Sequence, residues 1–172
     1  LLIVSAKTKT ALPLVPVGYE LASEQIPLTQ PIFQSFENPT DPEFVVQQSE
    51  SVVKVATDHV NVEFNKESGL LSSYIVNGQE VLIEGIKPNF WRAPIDNDFG
   101  FDMPKKWKAW RIASQEQVLK SFNVLDASAG VVTIEATYSL PAVMAEIVVT
   151  HRINGSGEIE VTTQLSGVGK DL

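Results

Sequence analysis

Residues 89–100, NFWRAPIDNDFG, bring Phe90, Trp91, Arg92, Asp96, Asn97, Asp98 and Phe99 into one short stretch, with Pro88 before it and Pro94 inside it. Aromatic faces, a planar guanidinium and carboxylate and amide acceptors are what a polyhydroxylated ligand requires, because its ring must be covered while each hydroxyl keeps a partner. The same residues also suit a buried crossover, with aromatics in the core and an Arg–Asp pair fixing an irregular loop. Residue types alone leave both readings open.

The carboxylates invite two further readings. In an extended segment Asp96 and Asp98 would project to one side, with roughly 6 to 7 Å between their Cα atoms. Retaining glycosidases hold their acid and nucleophile about 5 to 5.5 Å apart. Those groups must flank the scissile bond, however, and two near neighbours on one strand in similar surroundings do not acquire separated pKa values. A calcium loop would use Asp96, Asp98 and Asp102, but Gly100 stands where the third ligand belongs and no Glu closes the set. No metal is therefore assigned here, and loop-ordering turns through Asx-type hydrogen bonds are the favoured role. His59 is expected in a turn and His151 on a strand, as surface or edge residues that form neither a zinc pair nor a nucleophilic triad.

Residues 104–113, PKKWKAWRIA, place Trp107, Trp110 and Arg111 at helical spacing behind a proline, so a short helix is predicted. With Lys105, Lys106 and Lys108 it forms the one basic patch. Trp rings turned inward under Lys stems would cap the end of a sandwich. Stacking of a Trp face on a sugar ring stays open.

The elements that must hold these residues are strands. Runs at period two cover residues 1–8, 19–28, 51–57, 60–64, 70–76, 81–83, 117–125, 130–140, 142–153 and 158–165, with turns at 65–69, Asn77-Gly78 and 154–157. A hairpin is expected to pair residues 151–153 with 158–161. Short strands with tight turns predict an all-β fold, a β-sandwich of two sheets. Proline-rich residues 31–46 read as a linker between residues 1–30 and 47–172.

The chain has 172 residues, 44% hydrophobic and 20% charged, and is thus of ordinary globular composition. A formal charge of -8 argues against nucleic acid as a partner. The apolar runs fall short of the roughly 20 residues of a membrane helix, so no membrane partner is expected. Absence of Cys removes disulfides, thiolate zinc sites and Cys nucleophiles without identifying a compartment, which is left as cytoplasmic or periplasmic. Absence of an initiator Met leads to the expectation of a piece of a longer protein.

The stretch FWRAPIDNDFG resembles a segment of the form F-x-R-A-P-x-D-N-D-x-G in the C-terminal region of the large β-galactosidases of glycoside hydrolase family two. Residues 5–28 resemble the end of the immunoglobulin-like domain before that region. Residues 60–69 with Ser72, and residues 150–158, resemble strands flanking it. The resemblance implies the tail of that domain, a linker and the first part of a galactose mutarotase-like sandwich. It implies a parent that hydrolyses terminal β-galactosides with retention on two glutamates of a barrel, which also binds magnesium and sodium. Barrel, metals and catalytic groups would lie outside this chain, so the fragment alone is expected to be inactive and to need no cofactor. Its partners would be the parent's other domains, the β-galactoside and, in a homo-oligomer, further copies of the parent. Arg92, Asp96, Asn97 and Asp98 would order a loop that closes over the active site, with Gly100 as hinge and Phe101 and Asp102 bordering the site. Residues 101–106 form a shorter stretch than in the best-known members. Two other readings are a carbohydrate-binding module using Trp91, Trp107 or Trp110, and a mutarotase-like epimerase, which needs a His and a carboxylate in one cleft.

Overall fold

A computed structural model describes residues 1–29, 36, 44–128 and 130–169. The fold divides into two compact units, Leu1–Ser35 and Phe36–Leu172. In the first, β1 (Leu2–Lys7) and β2 (Glu20–Ile26) pair antiparallel, from Leu2 opposite Ile26 to Lys7 opposite Glu20. The loop carrying Pro13 and Pro16 is held by Thr8, whose Oγ1 donates to the Pro16 carbonyl at 2.7 Å and accepts from the Tyr19 amide at 3.0 Å. A side chain thus supplies what prolines cannot contribute to a ladder. Most of the stretch expected as a linker lies outside the described residues, and its last two positions, Val45 and Val46, belong to a strand.

The second unit is a sandwich of two antiparallel sheets. One is a meander of β3 (Val45–Gln48), β4 (Val52–Ala56), β5 (Val60–Asn65), β6 (Leu71–Val76) and β7 (Gln79–Glu80), in that order. The other holds β8 (Val118–Ser128), β9 (Val131–Leu140), β10 (Ala145–Asn154) and β11 (Ile159–Ser166), ordered β11-β10-β9-β8. Alternation delivers one face of each to a shared core. Val53 lies opposite Phe64 and Val55 opposite Val62, and this face packs with Val132, Ile134 and Ile153 of the other sheet. Each large side chain so buried contributes on the order of 1.5 to 3 kcal/mol.

The two sheets differ in strand length, and the mismatch leaves part of one face in need of a cover. β9 and β10 have 10 residues each, whereas β4 has 5 and β5 has 6. At about 3.3 Å per residue the longer sheet therefore overhangs its partner by more than 10 Å. The overhang carries Ala136, Tyr138, Leu140, Ala145, Ile147 and Val149, and is covered by Phe90 together with Trp110 and Ala113 of a helix. The stretch that breaks the β pattern is thus the lid of the second half of the core.

Turn chemistry matches the sequence reading. Asn77 (φ 50°) and Gly78 (φ 82°) both occupy the left-handed region, as a type I′ turn requires. The hairpin around residues 154–157 pairs His151 with Val161 and Ile153 with Ile159. Three expectations need correction. Residues 81–83 form no strand, because the Glu80 carboxylate takes the Tyr74 and Leu82 amides and ends the ladder after two residues. Residues 142–144 are not strand either. Pro141–Val143 makes a 3-10 turn and Met144 is left-handed (φ 49°), so β10 starts at Ala145. His151 is not a surface residue. It is buried on β10, with its ring edge-on to Phe64 at 5.0 Å.

Candidate functional site

The segment between β7 and β8 holds three short helices, α1 (Asp96–Gly100), α2 (Met103–Lys106) and α3 (Lys108–Gln115). The last two bear out the helix expected over residues 104–113. Asp96 and Asp98 are not extended, so the one-sided carboxylate pair does not exist. Both lie in the first turn of α1, where acidic groups suit the positive end of the helix dipole.

Asp98 organises the turn. Arg92 approaches it with both terminal nitrogens, Nη1 to Oδ2 at 2.5 Å and Nη2 to Oδ1 at 2.9 Å. Oδ2 also accepts the Ile95 amide at 2.8 Å, the reciprocal half of a capping box whose other half an isoleucine cannot provide. Arg92 Nη1 further donates to the Ala93 carbonyl at 3.1 Å. The Arg92 hydrogen bonds, with the Ile95 amide, hold the Asp98 carboxyl below its usual range, and the same contact raises Arg92. Asp98 is therefore a committed anion, unsuited to donating a proton at neutral pH. Asp96 and Asn97 are exposed on the same turn.

Gly100 ends α1 without a positive φ and with open space where a Cβ would stand. Asp102 is left-handed (φ 60°), which Asp tolerates better than most residues, and its carboxylate pairs with Lys105 at 3.3 Å. Phe101 and Trp107 are exposed and face each other at 5.6 Å, with Lys106 Nζ 3.9 Å above the Phe101 ring.

The three tryptophans separate. Trp110 packs on Phe90 at 5.7 Å within the covered overhang, as a capping role requires. Trp107 turns outward, against that expectation. Trp91 lines an open cleft of about 600 Å³ shared with Asn89, Pro94, Phe99, Arg111 and Gln115. Of the residues singled out from the sequence, Trp91, Phe99 and Arg111 reach this cleft.

Ser114 and Gln117 carried no functional signal in the sequence, yet they anchor the segment. The Ser114 hydroxyl accepts the Phe90 amide at 2.8 Å and donates to the Trp110 carbonyl at 3.0 Å, while Gln117 Nε2 donates to the Pro88 carbonyl at 2.6 Å. Serine four residues after Trp110 is placed for the i−4 back-bond, but its partner at Phe90 is tertiary. Asn89 closes an Asx-type turn on Trp91 through both its amide atoms.

Among the described residues no group of three His, Asp and Glu side chains is placed to hold a metal ion, and neither histidine bonds a carboxylate. The pair that an epimerase would require is not assembled among them.

Residues 56–171 match the family described as beta galactosidase small chain. The chain is 32% identical over 149 residues to a β-galactosidase of Priestia megaterium, covering 87% of this chain and 14% of that protein. It is 31% identical over 116 residues to β-galactosidase 2 of Enterobacter cloacae, and 26% identical over 170 residues to a β-galactosidase of Oenococcus oeni. These alignments cover 64% and 88% of this chain, and 11% and 16% of those proteins. With a short piece of much larger relatives matched along most of its length, the chain belongs to the β-galactosidase small chain family.

Proposed function

We propose that this chain is a non-catalytic part of a β-galactosidase that supports and borders the site where terminal β-galactosides are hydrolysed with retention. The observation that carries the reading is the two-pronged Arg92–Asp98 pair. It holds an exposed, aromatic-rich turn in one conformation beside an open cleft, and pre-ordered edges of this kind lower the cost of positioning a substrate. Trp91 offers an apolar face to a sugar ring, and Asn89, Arg111 and Gln115 offer polar groups around it. The carboxylates that cleave the bond belong to the parent's other domains. Asp98 has both oxygens bound, so it is poorly suited to act as nucleophile or acid.

The magnesium and sodium expected of the parent do not fit the acidic groups present. Asp98 is taken by Arg92 and Asp102 by Lys105, and among the described residues no three His, Asp or Glu side chains are grouped to hold a metal ion. The chain's role is thus to bind and orient, with the hydrolytic step, metal sites and oligomer contacts carried elsewhere in the parent. The test is hydrolysis of a chromogenic β-galactoside by the full parent and by this chain, side by side. An active parent with an inert chain agrees with the proposal. Turnover by the chain alone would overturn it and send mutagenesis to Asp96 and Asp98.

A further inference from the structure

A second pocket, of about 180 Å³, lies beneath the turn at residues 65–69, on the β8 side of the sandwich. It has room for several waters or for a small ring molecule. Leu70 and Leu119 supply apolar wall, and Tyr138, Gln117 and Ser68 supply the polar groups that are not fully exposed.

Tyr138 and Gln117 differ in how far their roles are fixed. Tyr138 is 3% exposed, with its hydroxyl close under Gly69, where a Cβ would stand 2.7 Å away. Among the described residues no protein group bonds that hydroxyl, which leaves it available at the pocket wall. Burial pushes its pKa up to about 12, so it stays a neutral hydroxyl that can donate and accept. Gln117 spends its amide nitrogen on the Pro88 carbonyl at 2.6 Å and the Ser114 carbonyl at 3.4 Å. Two carbonyl acceptors dictate which way the amide points, leaving Oε1 as its open acceptor. Lys87 and Glu67 on the rim are exposed and opposite in sign, so they favour no net charge in a ligand.

We propose that this pocket binds a neutral polyol of monosaccharide size, with ring C–H groups against Leu70 and Leu119, one hydroxyl accepting from Tyr138 and another donating to Gln117 Oε1. A hydroxyl both donates and accepts, so vicinal hydroxyls on a rigid ring complement the Tyr138 hydroxyl and the fixed Gln117 acceptor. A carboxylate or ammonium ligand would gain a charge partner only from a solvent-screened rim.

The test uses myo-inositol and D-glucose as probes against this chain, followed through the amide NMR shifts, with glycine and acetate as charged controls. The expected result is saturable shifts at Ser68, Gly69, Gln117 and Leu119 with the two polyols, and affinity reduced at least fivefold in Tyr138→Phe. Shifts centred on Trp91, no saturable shifts, a response to glycine or acetate instead, or unchanged affinity in a folded Tyr138→Phe would each overturn the proposal. Should that variant fail to fold, the shift map of the unaltered chain decides the question. The proposal stands independently of the parent's hydrolytic role.

Discussion

The sandwich core and the segment of residues 89–107 obtain order by different means. Around Phe64, the side chains of Val53, Val62, Val132 and Ile134 are all 0% exposed, and alternation alone puts them there. In the segment only Met103 is buried. Its shape comes from polar bonds: Arg92 on Asp98, Asn89 on Trp91, Ser114 on Phe90 and Gln117 on Pro88. Burial is tolerant of detail so long as shape and pattern persist. A polar lattice depends on individual atoms, but it leaves aromatic faces available to a ligand. One region supplies stability, and the other spends little of it to hold a surface in place.

This contrast can be broken at either end. Phe64→Ala should cost the most, about 3 to 5 kcal/mol, because it empties a site enclosed by both sheets. Denaturant unfolding should show a lower midpoint with an unchanged slope.

Acid should act next, through His151. Burial lowers its pKa from 6.5 to about 4, and its Nδ1 is buried with no partner among the described residues. Between those values the unfolded chain binds the proton and the folded chain does not. The stability this group contributes is therefore complete above pH 6.5 and falls as pH drops toward 4, by roughly 3 kcal/mol. His151→Leu should flatten that limb of the stability profile, and an unchanged limb would assign acid sensitivity elsewhere.

Asp98→Asn reverses the pattern, with little change in melting temperature. If the segment positions substrate, kcat/KM of the full parent should fall about tenfold to a hundredfold. A large loss of stability with full activity would make the segment a part of the core instead.

Gly100→Ala should have the smallest effect. Its Cβ meets open space and its φ is not positive, so stability should hold or rise by up to about 1 kcal/mol in this helical position. A drop in kcat of the parent without loss of stability would sharpen the role of Gly100 as a hinge. Unaltered kinetics would end that role.

The strands were readable because burial on one face imposes a period of two, and the turns at 77–78 and 154–157 because Asn77, Gly78 and Gly157 take positive φ and the Asn154 side chain accepts the Ser156 and Glu158 amides. The resemblance in residues 90–100 pointed to the right family. Local pattern left the conformation at Asp96 and Asp98 unread, since a side chain reaching back to the Ile95 amide bends the chain into a helical turn that no periodicity announces. It also misjudged His151. Only the facing sheet tells which strand positions are covered, and the sequence of β10 alone is silent about Phe64. The cleft beside Trp91 was illegible for a similar reason, because Arg111 and Gln115 reach it from a helix whose placement depends on the unequal lengths of two sheets.

The location of the tryptophans has a spectroscopic consequence. All three in the chain, Trp91, Trp107 and Trp110, lie in or beside the polar-bonded segment, and the core around Phe64 contains none. Intrinsic fluorescence is thus a reporter of that segment, while far-ultraviolet circular dichroism tracks the sheets. Coincident transitions would show that lid and sandwich melt as one cooperative unit. If fluorescence changed first, the segment would be opening over a still folded scaffold.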